Sequence, residues 1–120
     1  MRKILIAEDN DSNYILMSYI LKKYFEYERA KNGQEAVEKA KANQYDAILM
    51  DIKMPIMDGL QATKAIREFN SEVPIVALTA NAFDSDRQAA MEAGCTDFLA
   101  KPVSSDVCLA TLEKIFGKLG

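Results

Sequence analysis

The sequence predicts an α/β domain built as a doubly wound, five-stranded parallel sheet with five helices on its two faces. Three observations carry this expectation. Short aliphatic or β-branched runs recur near residues 3–7, 26–30, 47–50, 75–78 and 97–100, separated by stretches with helical spacing or helix-start signals. The runs ILIA, AILM and IVAL are continuously apolar rather than alternating, as strands covered on both faces should be. Strand and helix in strict alternation is the pattern of βαβ units, whose crossovers are right-handed.

Each element has its own signal. The first strand leads to Asp11, a good N-cap residue, and to a helix with Ile15, Met17, Ile20, Leu21 and Tyr24 on its apolar side. The second strand, Glu26-Tyr27-Glu28-Arg29-Ala30, is the most polar and suits a sheet edge. Asn32 starts the second helix, with Glu35 at capping-box spacing and Ala36, Val37 and Ala40 facing inward. The third strand ends at an acid, Asp51, and a loop through Pro55 leads to a helix starting at Asp58, with Leu60, Ile66 and Phe69 inside. The fourth helix, near 84–93, stops at Gly94, a natural C′ residue. The fifth follows Ser104 or Ser105, with Val107, Leu112, Ile115 and Phe116 inside.

Composition narrows the function classes. At 120 residues the chain predicts one domain, residues 1–120, large enough to bury a real core. Its net charge of −3 gives no case for nucleic-acid or anionic-membrane binding. The absence of histidine excludes a Ser-His-Asp triad, a Cys-His pair and any phosphohistidine on this chain. Cys95 and Cys108 lack metal or redox spacing, fit a reducing compartment, and read as small buried apolar groups. The apolar runs are too short to span a bilayer, and MRKILIAE is no signal peptide. The expected location is the cytoplasm.

The chemistry gathers at the strand ends. In an open parallel sheet the carboxyl ends lie along one side, and ligands bind there where the strand order reverses. Strand one delivers Glu8 and Asp9, then Asn10; strand three delivers Asp51, strand four Thr79 and strand five Lys101. Strand two delivers Lys31 and Asn32, which look ordinary. Converging carboxylates need a positive partner, and a hard divalent cation with oxygen ligands supplies one. A carboxylate nucleophile, a metal and donors for phosphoryl oxygens are the parts that phosphoryl transfer requires. Alone, Glu8 and Asp9 read as helix caps, Thr79 as a strand-end hydroxyl and Lys101 as a solvated lysine, while Asp51 ends a strand that should be central; four strand ends in agreement carry the weight.

The pieces ILIAEDN (4–10), ILMDIKMPIMDG (48–59), ALTANA (77–82) and DFLAKP (97–102) closely resemble response-regulator receiver domains of two-component signalling, in order and spacing. The resemblance implies a flavodoxin-like fold of strand order 2-1-3-4-5. It implies that Asp51 accepts a phosphoryl group from a histidine kinase or histidine phosphotransfer protein. Glu8, Asp9, Asp51 and the Lys53 backbone carbonyl would hold Mg2+, with Mn2+ as an alternative. Thr79 and Lys101 would grip the phosphoryl oxygens, Phe98 would be the switch aromatic, and Pro102 would follow a cis peptide. Lys53 and Asn81 would tune dephosphorylation. The family pattern also implies self-catalysed phosphorylation and dephosphorylation, and a downstream protein bound on the helix 4–strand 5–helix 5 face. It implies a monomer or a weak phosphorylation-dependent dimer. Tyr14, Tyr19, Tyr24 and Tyr27 are assigned to helix one, as partner contacts or half-buried packing.

Two rivals are weaker. A haloacid-dehalogenase-type phosphatase needs a second acid two residues after its nucleophile, where this chain has Lys53. A docking module that never takes phosphate normally lacks an acid or the lysine, and none is lost here. ALTANA and MPIMDG resemble the receivers of hybrid sensor kinases, whereas Met1-Arg2-Lys3 reads as a natural start; a single-domain regulator is slightly favoured over a receiver cut from a longer protein.

Overall fold

The computed structural model describes residues 1–80 and 84–119. Strands β1 (Lys3–Ala7), β2 (Glu26–Ala30), β3 (Ala47–Asp51), β4 (Ile75–Thr79) and β5 (Asp97–Ala100) alternate with helices α1 (Asp11–Leu21), α2 (Gly33–Ala42), α3 (Gly59–Arg67), α4 (Asp84–Ala93) and α5 (Ser105–Phe116). All pairings are parallel, in the order β2-β1-β3-β4-β5. The polar strand β2 takes one edge.

The continuous apolar runs have a direct cause. Side chains alternate faces along a strand, and both faces are covered. Leu5, Ala7, Ile48, Met50, Ile75 and Ala77 pack with Ala36 and Val37 of α2, Ala62 and Ile66 of α3, and Ala90 of α4. Ile4, Ile6, Ala47, Leu49, Val76 and Leu78 pack on the other side with Met17, Ile20 and Leu21 of α1 and Cys108 and Leu112 of α5. At about 25 cal/mol per Å² of apolar surface, burying a Leu or Ile side chain contributes about 1.5–3 kcal/mol. Both cysteines are buried and unbridged.

Caps set the helix entries. Asn10, not Asp11, caps α1: its Oδ1 accepts the Asn13 N–H at 2.9 Å. Asp11 becomes a first-turn acid instead. Asn32 accepts the Glu35 N–H at 2.8 Å. Asp58 forms a full capping box with Gln61. Ser104 caps α5. Gly94, with φ of 112°, closes α4 in a conformation that L side chains rarely adopt.

Three expected core residues are exposed. Ile15 (58%) lies off the Met17–Ile20–Leu21 stripe, and Val107 (56%) points away from the stripe of Cys108, Thr111 and Leu112. Phe69 (41%) follows the end of α3, where the chain has left the helix, and its ring lies 5.6 Å from Lys41 Nζ. Tyr24 lies in the turn after α1 and Tyr27 in β2, so helix one carries only Tyr14 and Tyr19.

No helix among the described residues is long and apolar enough to cross a membrane.

Candidate functional site

The strand ends open into a cleft of about 240 Å³ lined by Glu8, Asp9, Asn10, Asn13, Asp51, Ile52, Lys53, Thr79, Ala80 and Lys101. Backbone ladders place each contributor. Glu8 N–H donates to Ala30 at 3.0 Å, holding the end of β1 on β2, and Ile52 N–H donates to Leu78 at 3.0 Å, holding the end of β3 on β4. Lys101 N–H donates to the Thr79 carbonyl at 2.8 Å and carries the ladder past β5. The Lys101–Pro102 peptide is cis.

Helix α3 approaches unusually closely. Gly59 N–H donates to the Ile52 carbonyl at 2.8 Å. A Cβ on Gly59 would overlap the carbonyl oxygen of Asp51, so only glycine fits. Before it, Met57 N–H donates to the Pro55 carbonyl at 2.7 Å, a three-residue turn around Ile56. Ile56 has φ of 71° and is 82% exposed, a strained conformation for a β-branched residue.

The charges do not balance. Glu8 is fully buried, and Asp51 is 5% exposed. Lys101 Nζ lies 2.9 Å from Glu8 Oε1 and 3.1 Å from Asp51 Oδ2, so one cation serves two buried carboxylates. Lys53 N–H adds a 3.3 Å bond to Asp51 Oδ1. Asp9, exposed, completes a group of three acids with ligand oxygens within 4.8 Å of one another. Burial, and then hydrogen bonding and repulsion from Glu8, push the Asp51 carboxyl up to about 7; Lys101 opposes them and loses. Burial also works against the Lys101 charge, but Glu8 and Asp51 outweigh it and hold the ammonium above its ordinary range.

This donor set fits a hard divalent cation. Three carboxylates face one ammonium, and Glu8 Oε1, although buried, has only the ion pair and no aligned hydrogen bond. Carboxylate oxygens with room for water are what Mg2+ prefers.

The other expected residues fall into two groups. Thr79, 6% exposed, lines the cleft. Phe98 does not line it, but packs against the core on the α2–α3–α4 side, with the Arg87 guanidinium 4.8 Å from its ring centroid. The registers Ala77↔Phe98 and Thr79↔Ala100 put Thr79 and Phe98 on the same face of adjacent strands, as diagonal neighbours. Asn81 lies outside the described residues. Asn10, expected at the end of strand one, lines the cleft, and so does Asn13, which had no signal of its own; helical spacing from the cap Asn10 could have found it.

Fold and cleft together define a class: a doubly wound α/β protein with an acid cluster and a lysine at its C-terminal strand ends. Within that class, the chain belongs to the response regulator receiver domain family, whose model matches residues 4–113. It is 43% identical over 129 aligned residues to hybrid signal transduction histidine kinase B of Dictyostelium discoideum, covering 95% of this chain and 7% of that protein. The chain spans only 5% and 7% of the first curated relatives it matches. Among solved structures, the receiver domain of the sensor histidine kinase PA1611 from Pseudomonas aeruginosa superimposes with a TM-score of 0.90 at 38% identity over 98% of both chains; its active-site cleft coordinates a magnesium ion. The receiver domain of Ssk1 from Saccharomyces cerevisiae, solved with the histidine phosphotransfer protein Ypd1, gives a TM-score of 0.88 at 36% identity, covering 94% of this chain and 87% of that chain. The chain is a signalling receiver domain of two-component phosphorelay with a flavodoxin-like fold.

Proposed function

We propose that residues 1–120 act as one phosphorylation-dependent switch, with Asp51 as the phosphoacceptor. The observation that carries this is Lys101, held between buried Glu8 and Asp51 in a cleft where a third acid converges. A carboxylate oxygen of Asp51 attacks the phosphorus of a partner's phosphohistidine. The P–N bond breaks, the imidazole leaves with its electron pair, and Asp51 becomes an acyl phosphate. Lys101 and the Thr79 hydroxyl turn to the phosphoryl oxygens. Glu8, Asp9, Asp51 and the Lys53 carbonyl would hold Mg2+, or Mn2+ in its place. When bound, the ion supplies positive charge against the phosphoryl oxygens.

The switch follows from charge and packing. Phosphorylation adds about −1.5 to −2 of charge and three acceptor oxygens at Asp51. Thr79 shifts toward them, and its diagonal neighbour Phe98 repacks, changing the α4–β5–α5 face that a downstream protein reads. Water then attacks the acyl phosphate and releases inorganic phosphate, at a rate tuned by Lys53 and Asn81. The domain thus catalyses its own phosphorylation and dephosphorylation, as a cytoplasmic monomer or weak phosphorylation-dependent dimer.

A histidine kinase or histidine phosphotransfer protein is the natural donor. Beside the cleft, α1 exposes Ile15, Leu16 and Tyr19, which with Ser12, Ile20 and Ser105 form an apolar groove fitted to a partner helix. The Ssk1 receiver solved with Ypd1 supports this choice of partner.

The test is intact mass spectrometry after incubation with phosphoramidate and Mg2+. The wild type should gain one phosphoryl mass, lose it on standing, and gain none as Asp51→Asn. Phosphorylation that persists in Asp51→Asn would sink the proposal.

A further inference from the structure

Arg29 has no part in the chemistry above, yet it reaches the loop that supplies two of the acids. It sits on the edge strand β2, paired in register with Ile6 of β1. Its side chain is only 16% exposed, unusual for an arginine on so polar a strand. Among the described residues, its side-chain hydrogen bond, ion pair and ring contact fall on the segment that follows β1. Nε donates to the backbone carbonyl of Glu8 at 3.1 Å. Nη2 is buried and forms an ion pair with Asp11 Oδ1 at 2.9 Å, without hydrogen-bond alignment. The guanidinium lies over the Tyr14 ring, 4.5 Å from its centroid, and Tyr14 is braced edge-on by Tyr27 at 6.4 Å.

We infer that Arg29 is a positioning residue that clamps the Glu8–Asp11 segment in the geometry that receives Mg2+. Its grip runs from the Glu8 carbonyl to Asp11 and Tyr14, on either side of Asp9 and Asn10. Asp9 is exposed and has no core packing to place it. Its carboxylate can be pre-set only through its backbone, and that backbone is held at Glu8 by Arg29 and the Ala30 carbonyl. The guanidinium suits this task because its planar fork can hold a carbonyl and a carboxylate while stacking on an aromatic ring. Residues that orient metal ligands from outside typically affect metal affinity by about 10–100-fold when replaced.

This inference rests on the reading of the acid cluster as a Mg2+ site, and the experiment separates the two. Mg2+ is titrated into wild type, Arg29→Met and Arg29→Lys, with the dissociation constant read from amide chemical shifts. Arg29→Met, of similar length but with no donors, should weaken binding about tenfold. Arg29→Lys keeps the charge but cannot hold both groups, and should fall between. Two readouts distinguish positioning from general damage. With phosphoramidate as donor, the Mg2+ concentration giving half-maximal rate should rise while the rate at saturating Mg2+ stays near wild type. In the metal-free protein, hydrogen exchange should quicken at the Asn10 and Asn13 amides and not in β3 or β4. Wild-type affinity in both variants would overturn the inference and leave the functional proposal standing. If Arg29→Met does not fold, Arg29→Lys decides alone, and wild-type affinity there overturns it. A wild type that takes no Mg2+ removes the functional reading and this inference with it.

Discussion

Two charged clusters sit at opposite ends of the same parallel sheet, and they differ in whether their charges are answered. At the N-terminal end, Lys3 Nζ meets Glu28 Oε2 at 2.7 Å, Tyr45 donates its hydroxyl to Glu28 Oε1 at 2.6 Å, and Lys3 N–H donates to Asp46 Oδ2 at 2.7 Å. Both oxygens of Glu28 have partners. Its carboxyl is held below the ordinary range, by Lys3 first and Tyr45 second. At the C-terminal end two buried carboxylates share Lys101, and the Asp51 carboxyl rises to about 7. Carboxylate and lysine thus serve stability where they balance. Where two buried acids share one lysine, they leave unanswered charge of the kind that gathers at functional sites.

The sharpest way to break this comparison is to remove the shared lysine. Lys101→Met leaves Glu8 and Asp51 buried without a counter-charge and should destabilise the metal-free protein by about 3 kcal/mol at neutral pH. Urea unfolding reads this. A loss no larger than that of Lys3→Met, which breaks a half-exposed ion pair with Glu28, would mean that the two ends are alike.

Next in size is Asp51→Asn, which should stabilise the metal-free protein. The Asp51 carboxyl rises on folding from 3.8 to about 7. Its stability contribution is therefore fully present below pH 4 and lost as pH climbs through 7. The asparagine variant lacks that loss and should be more stable at pH 8 by about 1–3 kcal/mol. Mg2+ should raise the melting temperature of the wild type much more than that of the variant. A variant less stable at pH 8 would contradict the charge imbalance.

At the balanced end the sign reverses. Tyr45→Phe removes the hydroxyl bond to Glu28 and should cost about 0.5–1.5 kcal/mol. Because the Glu28 carboxyl is lowered on folding, its contribution is present above the ordinary carboxylate value of 4.5 and fades as pH falls through the lower folded value. Phosphorylation by phosphoramidate should be unchanged. A variant that loses phosphorylation would link the two ends in a way the comparison denies.

The smallest effect tests whether strain, like unbalanced charge, concentrates beside the cleft. Ile56→Gly relieves a left-handed β-branched residue and should stabilise by up to about 1 kcal/mol. Thermal unfolding checks the sign, and a destabilised variant would place the strain elsewhere.

Much of this was legible because the fold writes itself into local patterns. Strands sandwiched between helices must be apolar on both faces, so ILIA, AILM and IVAL stood out. Acids, a threonine and a lysine at successive strand ends then marked one edge of the sheet. Other features depended on choices that local pattern leaves open. Asn10 and Asp11 can both cap a helix, and only the chain's path selected Asn10. Phe69 and Val107 matched an inward pattern, but a helix end and a helix rotation turned them outward. Arg29 gave no signal, because its value lies in strand register: pairing with Ile6 brings it beside a loop 21 residues earlier. The positions of Thr79 and Lys101 along one edge could be expected, but the imbalance of one ammonium between two buried acids could not.

If Asp51 takes a phosphoryl group as proposed, the close fit of Gly59 against its carbonyl limits how it can answer the new charge. The start of α3 is a wall behind that backbone, so the acid cannot recoil toward the helix. Displacement has to go forward into the cleft or sideways across β4 to β5, where Thr79 and Phe98 lie on one face. A single missing side chain would thereby give the proposed signal its direction, along the sheet and away from α3.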